Sequence, residues 1–138
     1  MKQADLNAKV IEQFRAGGPV EGMTRERLLL LTTVGRRTAT KRTTPMMFHR
    51  YRGRLLVMAS NAGAPKEPDW YVNLVAHPQV LVETPDATYD AIAQTLTGGD
   101  RAAAWDDLVG AYPFFADHQL GAGREIPLVE LVGPRRAQ

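Results

Sequence analysis

The sequence predicts a mainly β protein with flanking helices: a small barrel of about six antiparallel strands, with three to four helices set in as caps or insertions. Three observations lead there. The apolar residues fall in runs too short for surface helices, and turn-forming residues separate most neighbouring runs, which joins antiparallel partners. Strands and crossover helices do not alternate, as a parallel nucleotide-binding fold requires. The chain has 138 residues and no visible repeat, enough for a single domain with one substantial core.

Residues 5–16 read as a helix with Leu6, Val10, Ile11 and Phe14 on one face, stopped by Gly17-Gly18-Pro19. This N-terminal segment, 1–18, is expected to cap one end of the barrel. The other reading is a membrane-surface helix, but the apolar face is short and has no Lys/Arg-rich border. Residues 28–34 are evenly apolar and read as a buried strand. Residues 41–50 read as the next strand, and Pro45 within it marks an edge, a bulge or a place where backbone meets ligand. Tyr51-Arg52-Gly53 is a hairpin turn into a third strand over 54–59. Residues 60–68 form a loop of small residues, long for a compact domain, and such loops are often functional.

Asp69 reads as a helix N-cap, with Trp70, Tyr71, Leu74 and Val75 following at helical spacing and His77-Pro78 ending the helix. Residues 80–82 and 88–95 are two more strands, joined through Pro85-Asp86. Gly98-Gly99-Asp100 opens a helix over 101–111 whose Trp105, Leu108 and Val109 face inward. Tyr112-Pro113 breaks it, and a short aromatic segment follows with Phe114, Phe115 and His118. Residues 126–132 are the last strand and 133–138 a loose polar tail.

Composition excludes several classes of chemistry. Without cysteine there is no disulfide, thiol nucleophile or Cys-ligated metal. His49, His77 and His118 lack metal-ligand spacing, so no metal is expected. No apolar run approaches the roughly 20 residues of a membrane span. The N-terminus lacks the charged-then-apolar order of a signal peptide. The expectation is a cytoplasmic protein, with peripheral contact to the inner membrane face left open. No GxSxG elbow, Walker motif or GxGxxG follows a strand, and the centre of the chain has no acids for a paired-carboxylate hydrolase.

What remains is a basic stretch. From Arg27 to Lys66 there are nine Lys or Arg and no Asp or Glu. The other eight bases against fifteen acids leave the rest of the chain at −7. Arg36, Arg37, Lys41 and Arg42 surround the turn at Gly35, with Thr38, Thr40, Thr43 and Thr44 among them. Guanidinium groups bind phosphate or carboxylate in bidentate fashion, and hydroxyls complete such a shell. The same residues also read as a solvated hairpin tip. A second grouping runs from Ser60-Asn61 to Trp70, Tyr71 and Asn73. There, small residues let a planar ligand approach backbone, and Trp70 is either an aromatic wall or a core residue of its helix. Nucleic-acid binding is disfavoured, because only Phe48 and Tyr51 stand among the basic residues as stacking positions.

Several segments closely resemble one family. They are Leu29-Leu30-Leu31-Thr32-Thr33-Val34-Gly35-Arg36-Arg37-Thr38, Arg42-Thr43-Thr44-Pro45, and Ala59-Ser60-Asn61-Ala62-Gly63-Ala64-Pro65-Lys66. They continue with Pro68-Asp69-Trp70-Tyr71-Val72-Asn73-Leu74, Ala76-His77-Pro78, Ala111-Tyr112-Pro113 and Arg124-Glu125-Ile126-Pro127 through Leu131. In this order they resemble the deazaflavin-dependent nitroreductases, also described as quinone reductases, over roughly residues 8–132.

The resemblance implies a split β-barrel of the flavin-reductase type and the 8-hydroxy-5-deazaflavin coenzyme F420. It also implies hydride transfer from the reduced coenzyme to a quinone, nitro compound or similar activated acceptor. Carried over by motif, Arg36, Arg37, Thr38, Lys41 and Arg42 would hold the phosphate and acidic tail. Thr43, Thr44, Pro45, Met46 and Met47 would line the path to the ring. Met58, Ala59, Ser60 and Asn61 would lie against the deazaflavin, beside Trp70, Tyr71 and Asn73. Beyond what the resemblance implies, Tyr112 or His118 is expected to lie over the acceptor and supply a proton to the reduced product.

The chain departs from the family pattern in three places. Ala39 stands where the turn expects a second glycine, Asn61 where some members carry lysine, and Phe115 and His118 where nitroimidazole-reducing members have tyrosines. The runner-up coenzyme is FMN, for which so long an acid-free stretch is more than one phosphate needs. The other alternative is a non-catalytic F420 carrier. The physiological acceptor and the oligomeric state stay open.

Overall fold

The structure is a computed structural model describing residues 3–133. Six strands, β1 (Leu28–Val34), β2 (Lys41–Tyr51), β3 (Arg54–Met58), β4 (Gln79–Glu83), β5 (Thr88–Thr95) and β6 (Leu128–Val132), close into an antiparallel barrel in the order β1-β2-β3-β6-β5-β4. Four helices accompany them: α1 (Gln3–Arg15), α2 (Asp69–Ala76), α3 (Gly98–Ala111) and α4 (Phe114–Ala122). The tail expected at 133–138 lies, beyond Gly133, outside the described residues.

Strand alternation divides the apolar residues between inside and outside. Leu29 and Leu31 of β1 point inward and meet Phe48, Val57, Val82 and Val129 in the barrel core. Leu28 and Leu30 point outward and are buried against Phe14 and Val20, with Val10 and Ile11 of α1 packed alongside. This explains why β1 has no polar alternation: both its faces are covered. It also places α1 on the outer wall over β1, not across a barrel end. The apolar face of α1 is therefore taken up by the protein, apart from Leu6, which is 41% exposed.

The end of the barrel is closed by α2, whose Leu74 joins the core with Trp70 and Tyr71 packed beside it. On the opposite wall, Leu56, Met58 and Leu128 are covered by Ala104 and Leu108 of α3 and Phe115 of α4. The aromatic segment after Tyr112-Pro113 is thus a helix. Its pattern concealed this, because Phe115 and Ala122 are its buried residues while Leu120 stands 82% exposed. The last strand starts at Leu128 and not at Ile126. Side chains pin Ile126 instead: its N–H donates to Gln119 Oε1 at 2.9 Å and its carbonyl accepts from Arg101 at 2.7 Å. In α2, Pro68 is the cap and Asp69 the first helical residue.

β2 changes partner along its length. Residues 41–47 pair with β1, from Val34↔Lys41 to Leu28↔Met47. Residues 48–51 pair with β3, from Phe48↔Val57 to Tyr51↔Arg54. Beyond Met58 the chain turns away into the 59–67 loop, so residues 41–47 have β1 on one edge and no strand on the other. Pro45 sits in this segment, where a missing N–H is tolerated.

Between β1 and β2, Gly35 N–H donates to Thr40 O at 2.8 Å and Ala39 N–H to Gly35 O at 3.0 Å. A side chain at Gly35 would meet Thr40 O at 3.2 Å and Thr38 Oγ1 at 3.3 Å, a close approach that favours glycine. Ala39 holds φ of 57°, a left-handed conformation that glycine adopts without strain. Ala39→Gly is expected to raise stability by about 1 kcal/mol, since relief of the left-handed cost exceeds the added freedom of the unfolded chain. Urea denaturation of the two proteins checks this.

Candidate functional site

The turn after β1 is tied to α2. The Arg36 backbone N–H and Nη1 both donate to Asn73 Oδ1, at 3.2 and 2.7 Å, and Nη2 lies 3.6 Å from Asp69. Asn73 is 3% exposed, so Arg36 and Asn73 act together as a strut from turn to helix. Tyr71 turns its hydroxyl toward β5, 3.1 Å from Thr95 Oγ1, while Trp70 packs edge-on against the Tyr71 ring. Met46 shares the core cluster with both aromatics.

The nine cations of the basic stretch are not one cluster. Arg54 is committed to Asp100 and Glu130 at 2.7 Å each. Arg50 and Arg52 lie over the Phe48 and Tyr51 rings at the far end of β2. Arg27 precedes β1, and its guanidinium lies 5.4 Å from the Tyr112 ring centre. Arg37, Lys41 and Arg42 remain at the turn, exposed and without an ion pair among the described residues. Alternation sends Lys41, Thr43, Pro45 and Met47 to the outer face of β2 and Arg42, Thr44 and Met46 to the inner one. Thr43 Oγ1 is 2.7 Å from Thr32 Oγ1 on the outer face. Thr38 is exposed in the turn itself.

The loop after β3 is held by a residue that the sequence did not single out. Arg124 donates to the carbonyls of Ala59 (3.3 Å), Ser60 (3.1 Å), Ala64 (3.2 Å) and Lys66 (3.2 Å), and to Glu67 at 3.0 Å. Its side chain is 14% exposed. The loop needs such fastening because Asn61, Ala62 and Gly63 all have positive φ, at 48°, 54° and 84°, where L residues are strained. Asn61 Nδ2 also donates to Lys66 O at 2.9 Å. Ser60 is right-handed and Asn61 left-handed, the succession that turns consecutive N–H groups toward a common point. The amides of Ser60, Asn61 and Ala62 are not used by the loop's own turns. Ala59 is fully buried behind them, and Met58 backs the loop from the cluster under α3 and α4.

Tyr112 and His118 flank Phe114, with ring centres 6.2 and 5.3 Å from it. His118 packs on the loop, since a Cβ on Gly63 would come within 3.5 Å of its backbone. Its Nδ1 is buried with no hydrogen-bond partner among the described residues. Tyr112 meets the His49 ring edge-on at 5.9 Å, and His49 Nε2 is 2.8 Å from Asp107 Oδ2. Tyr112 also borders a cavity of about 210 Å³, with Met47 and Phe114 among its walls. A larger cavity of about 680 Å³ lies on the outer wall between Val34, Lys41, Leu81, Asp90 and Ile92. Only Lys41 connects it to the sequence-predicted residues.

Arg124→Met is expected to cost about 3 kcal/mol, because several carbonyls, most of them part-buried, and Glu67 lose a charged donor together. Arg124→Lys should recover less than half of this, since an ammonium lacks the planar fork. Chemical denaturation of the three proteins measures both effects.

A model of the F420H(2)-dependent quinone reductase family matches residues 6–132. An F420H(2)-dependent quinone reductase of Mycobacterium tuberculosis is 31% identical over 106 residues, covering 75% of this chain and 71% of that protein. Among solved structures, an F420-H2 dependent reductase superposes with a TM-score of 0.68 at 36% identity, covering 76% of this chain and 93% of the other. A structure described as a domain-swapped dimer superposes with a TM-score of 0.72 at 32% identity, covering 94% and 99%. The barrel is the split β-barrel of these reductases, and the chain belongs to the F420H(2)-dependent quinone reductase family.

Proposed function

We propose that the exposed cations of the β1–β2 turn, the unpaired edge of β2 and the 59–63 loop together form the coenzyme site, with the acceptor beside Tyr112. As a member of its family the chain is an oxidoreductase that uses F420 and reduces a quinone. Nitro compounds belong to the same proposal as further activated acceptors, as does a cytoplasmic setting. No helix among the described residues is long and apolar enough to cross a membrane.

The observation that carries this reading is the set of cations without partners. Lys9, Arg15, Arg54, Arg101 and Arg124 all have ion pairs, whereas Arg37, Lys41 and Arg42 crowd one turn with none among the described residues. Such a group is electrostatically unfavourable until an anion joins it. The phosphate and acidic tail of F420 fit that need, and FMN would use only part of it. The unused amides at 60–62 offer donors for ring oxygens. Arg36 and Asn73, bonded to each other, would set the turn's position; Trp70 would wall the site from α2.

When bound and reduced, the coenzyme supplies the hydride. The protein's part is to orient, exclude water and hold a proton. Tyr112 and His118 stand on either side of Phe114, within reach of the acceptor cavity and the loop respectively. His118→Ala is expected to lower turnover about 100-fold, as loss of a general acid does; unchanged turnover would remove His118 from that role.

Titration with F420 and, separately, FMN, followed by tryptophan fluorescence, tests the coenzyme site. F420 should quench saturably and FMN should bind far more weakly. Arg42→Ala should weaken F420 by about tenfold, the worth of one charge-assisted hydrogen bond. Preference for FMN, or indifference to Arg42→Ala, would dismiss the site as drawn.

A further inference from the structure

Arg27 stands apart from the other exposed cations. The whole of β1, seven residues or roughly 20 Å, separates it from the turn at Gly35, so it and the turn cations serve different ends of the site. It lines the cavity of about 210 Å³ beside Tyr112. Met23, Leu28, Met47 and Phe114 make the other walls largely apolar, and no acid lines them. Arg27 has no ion pair among the described residues, and its contact there is with the Tyr112 ring face.

We infer that Arg27 reads the charge of the acceptor. Its guanidinium favours acceptors bearing an anionic substituent, and it stabilises the negative charge that reduction leaves on an acceptor oxygen. This rests on placing the acceptor beside Tyr112. The chemistry asks for such a group. A neutral quinone that accepts a hydride from F420H2 gains two electrons and one proton and becomes a hydroquinone monoanion; a second proton, from water or a neighbouring acid, completes the hydroquinone. A cation beside a largely apolar wall lowers the energy of that anion, even though Arg27 is itself exposed. A residue that only supported the Tyr112 ring would not distinguish acceptors by charge.

The test uses the protein with F420H2 and two matched acceptors, a sulfonated naphthoquinone and a neutral methylnaphthoquinone, at low salt. Arg27→Gln should lower kcat/KM by about tenfold for the sulfonate and by about threefold for the neutral quinone, the difference being the direct charge interaction. Arg27→Lys should keep most of the preference. In the absence of reductant, the Kd of the sulfonate read by tryptophan quenching should rise about tenfold in Arg27→Gln, while the neutral quinone and F420 bind as before. Equal losses for both quinones, or no loss for either, would overturn the inference and leave Arg27 a ring support. If the unmodified protein binds F420 yet reduces neither quinone, the acceptor reading fails and takes this inference with it.

Discussion

A single guanidinium holds the most strained part of this protein in place. Arg124 gathers carbonyls from both limbs of the 59–67 loop, between which three consecutive residues turn left-handed. Each non-glycine residue in that conformation costs about 1–2 kcal/mol, so an unfastened loop would relax. Arg124 itself comes from the segment between α4 and β6. The fastening therefore registers loop, helix and strand against one another, and His118 of α4 comes to rest on Gly63.

The second organising feature is the change of partner along β2. A strand of 11 residues is long for so small a barrel, and it is shared between β1 and β3. The shared strand separates the cations that sequence proximity had grouped. Arg50, Arg52 and Arg54 are carried to the hairpin end, where ring faces and acids engage them. Arg37, Lys41 and Arg42 stay at the open turn, and Arg27 is left beside Tyr112. With Lys66 in the loop after β3, one acid-free run in the sequence thus becomes four environments in space.

Much of the barrel was legible because its rules are local. Turn residues and apolar runs located all six strands, and Pro45 marked an edge, a bulge or a ligand-facing backbone position, of which the pairing supports the edge. α4 was hidden because one well-buried aromatic and one small residue anchor it, with no continuous stripe. The placement of α1 on the outer wall followed from Leu28 and Leu30 needing cover, which an evenly apolar strand implies but does not direct. At the site, the glycine turn and its cations were visible, yet the pairing of Arg36 with Asn73 joins residues 37 apart. Arg124 gave no signal beyond its place in a motif, since hydrogen bonds to backbone carbonyls leave no trace in residue type.

The unpaired edge of β2 carries a further consequence. An open strand edge is a template on which another sheet can add. Among the residues on this one are Lys41, Arg42 and Pro45: two charges that repel their own copies and one ring that lacks an N–H. Those are the means by which natural sheets keep edges from joining. The composition proposed to draw a polyanion to this strand would therefore also protect the ligand-free protein against edge-to-edge aggregation, and neutralising the basic residues would expose the fold to self-association.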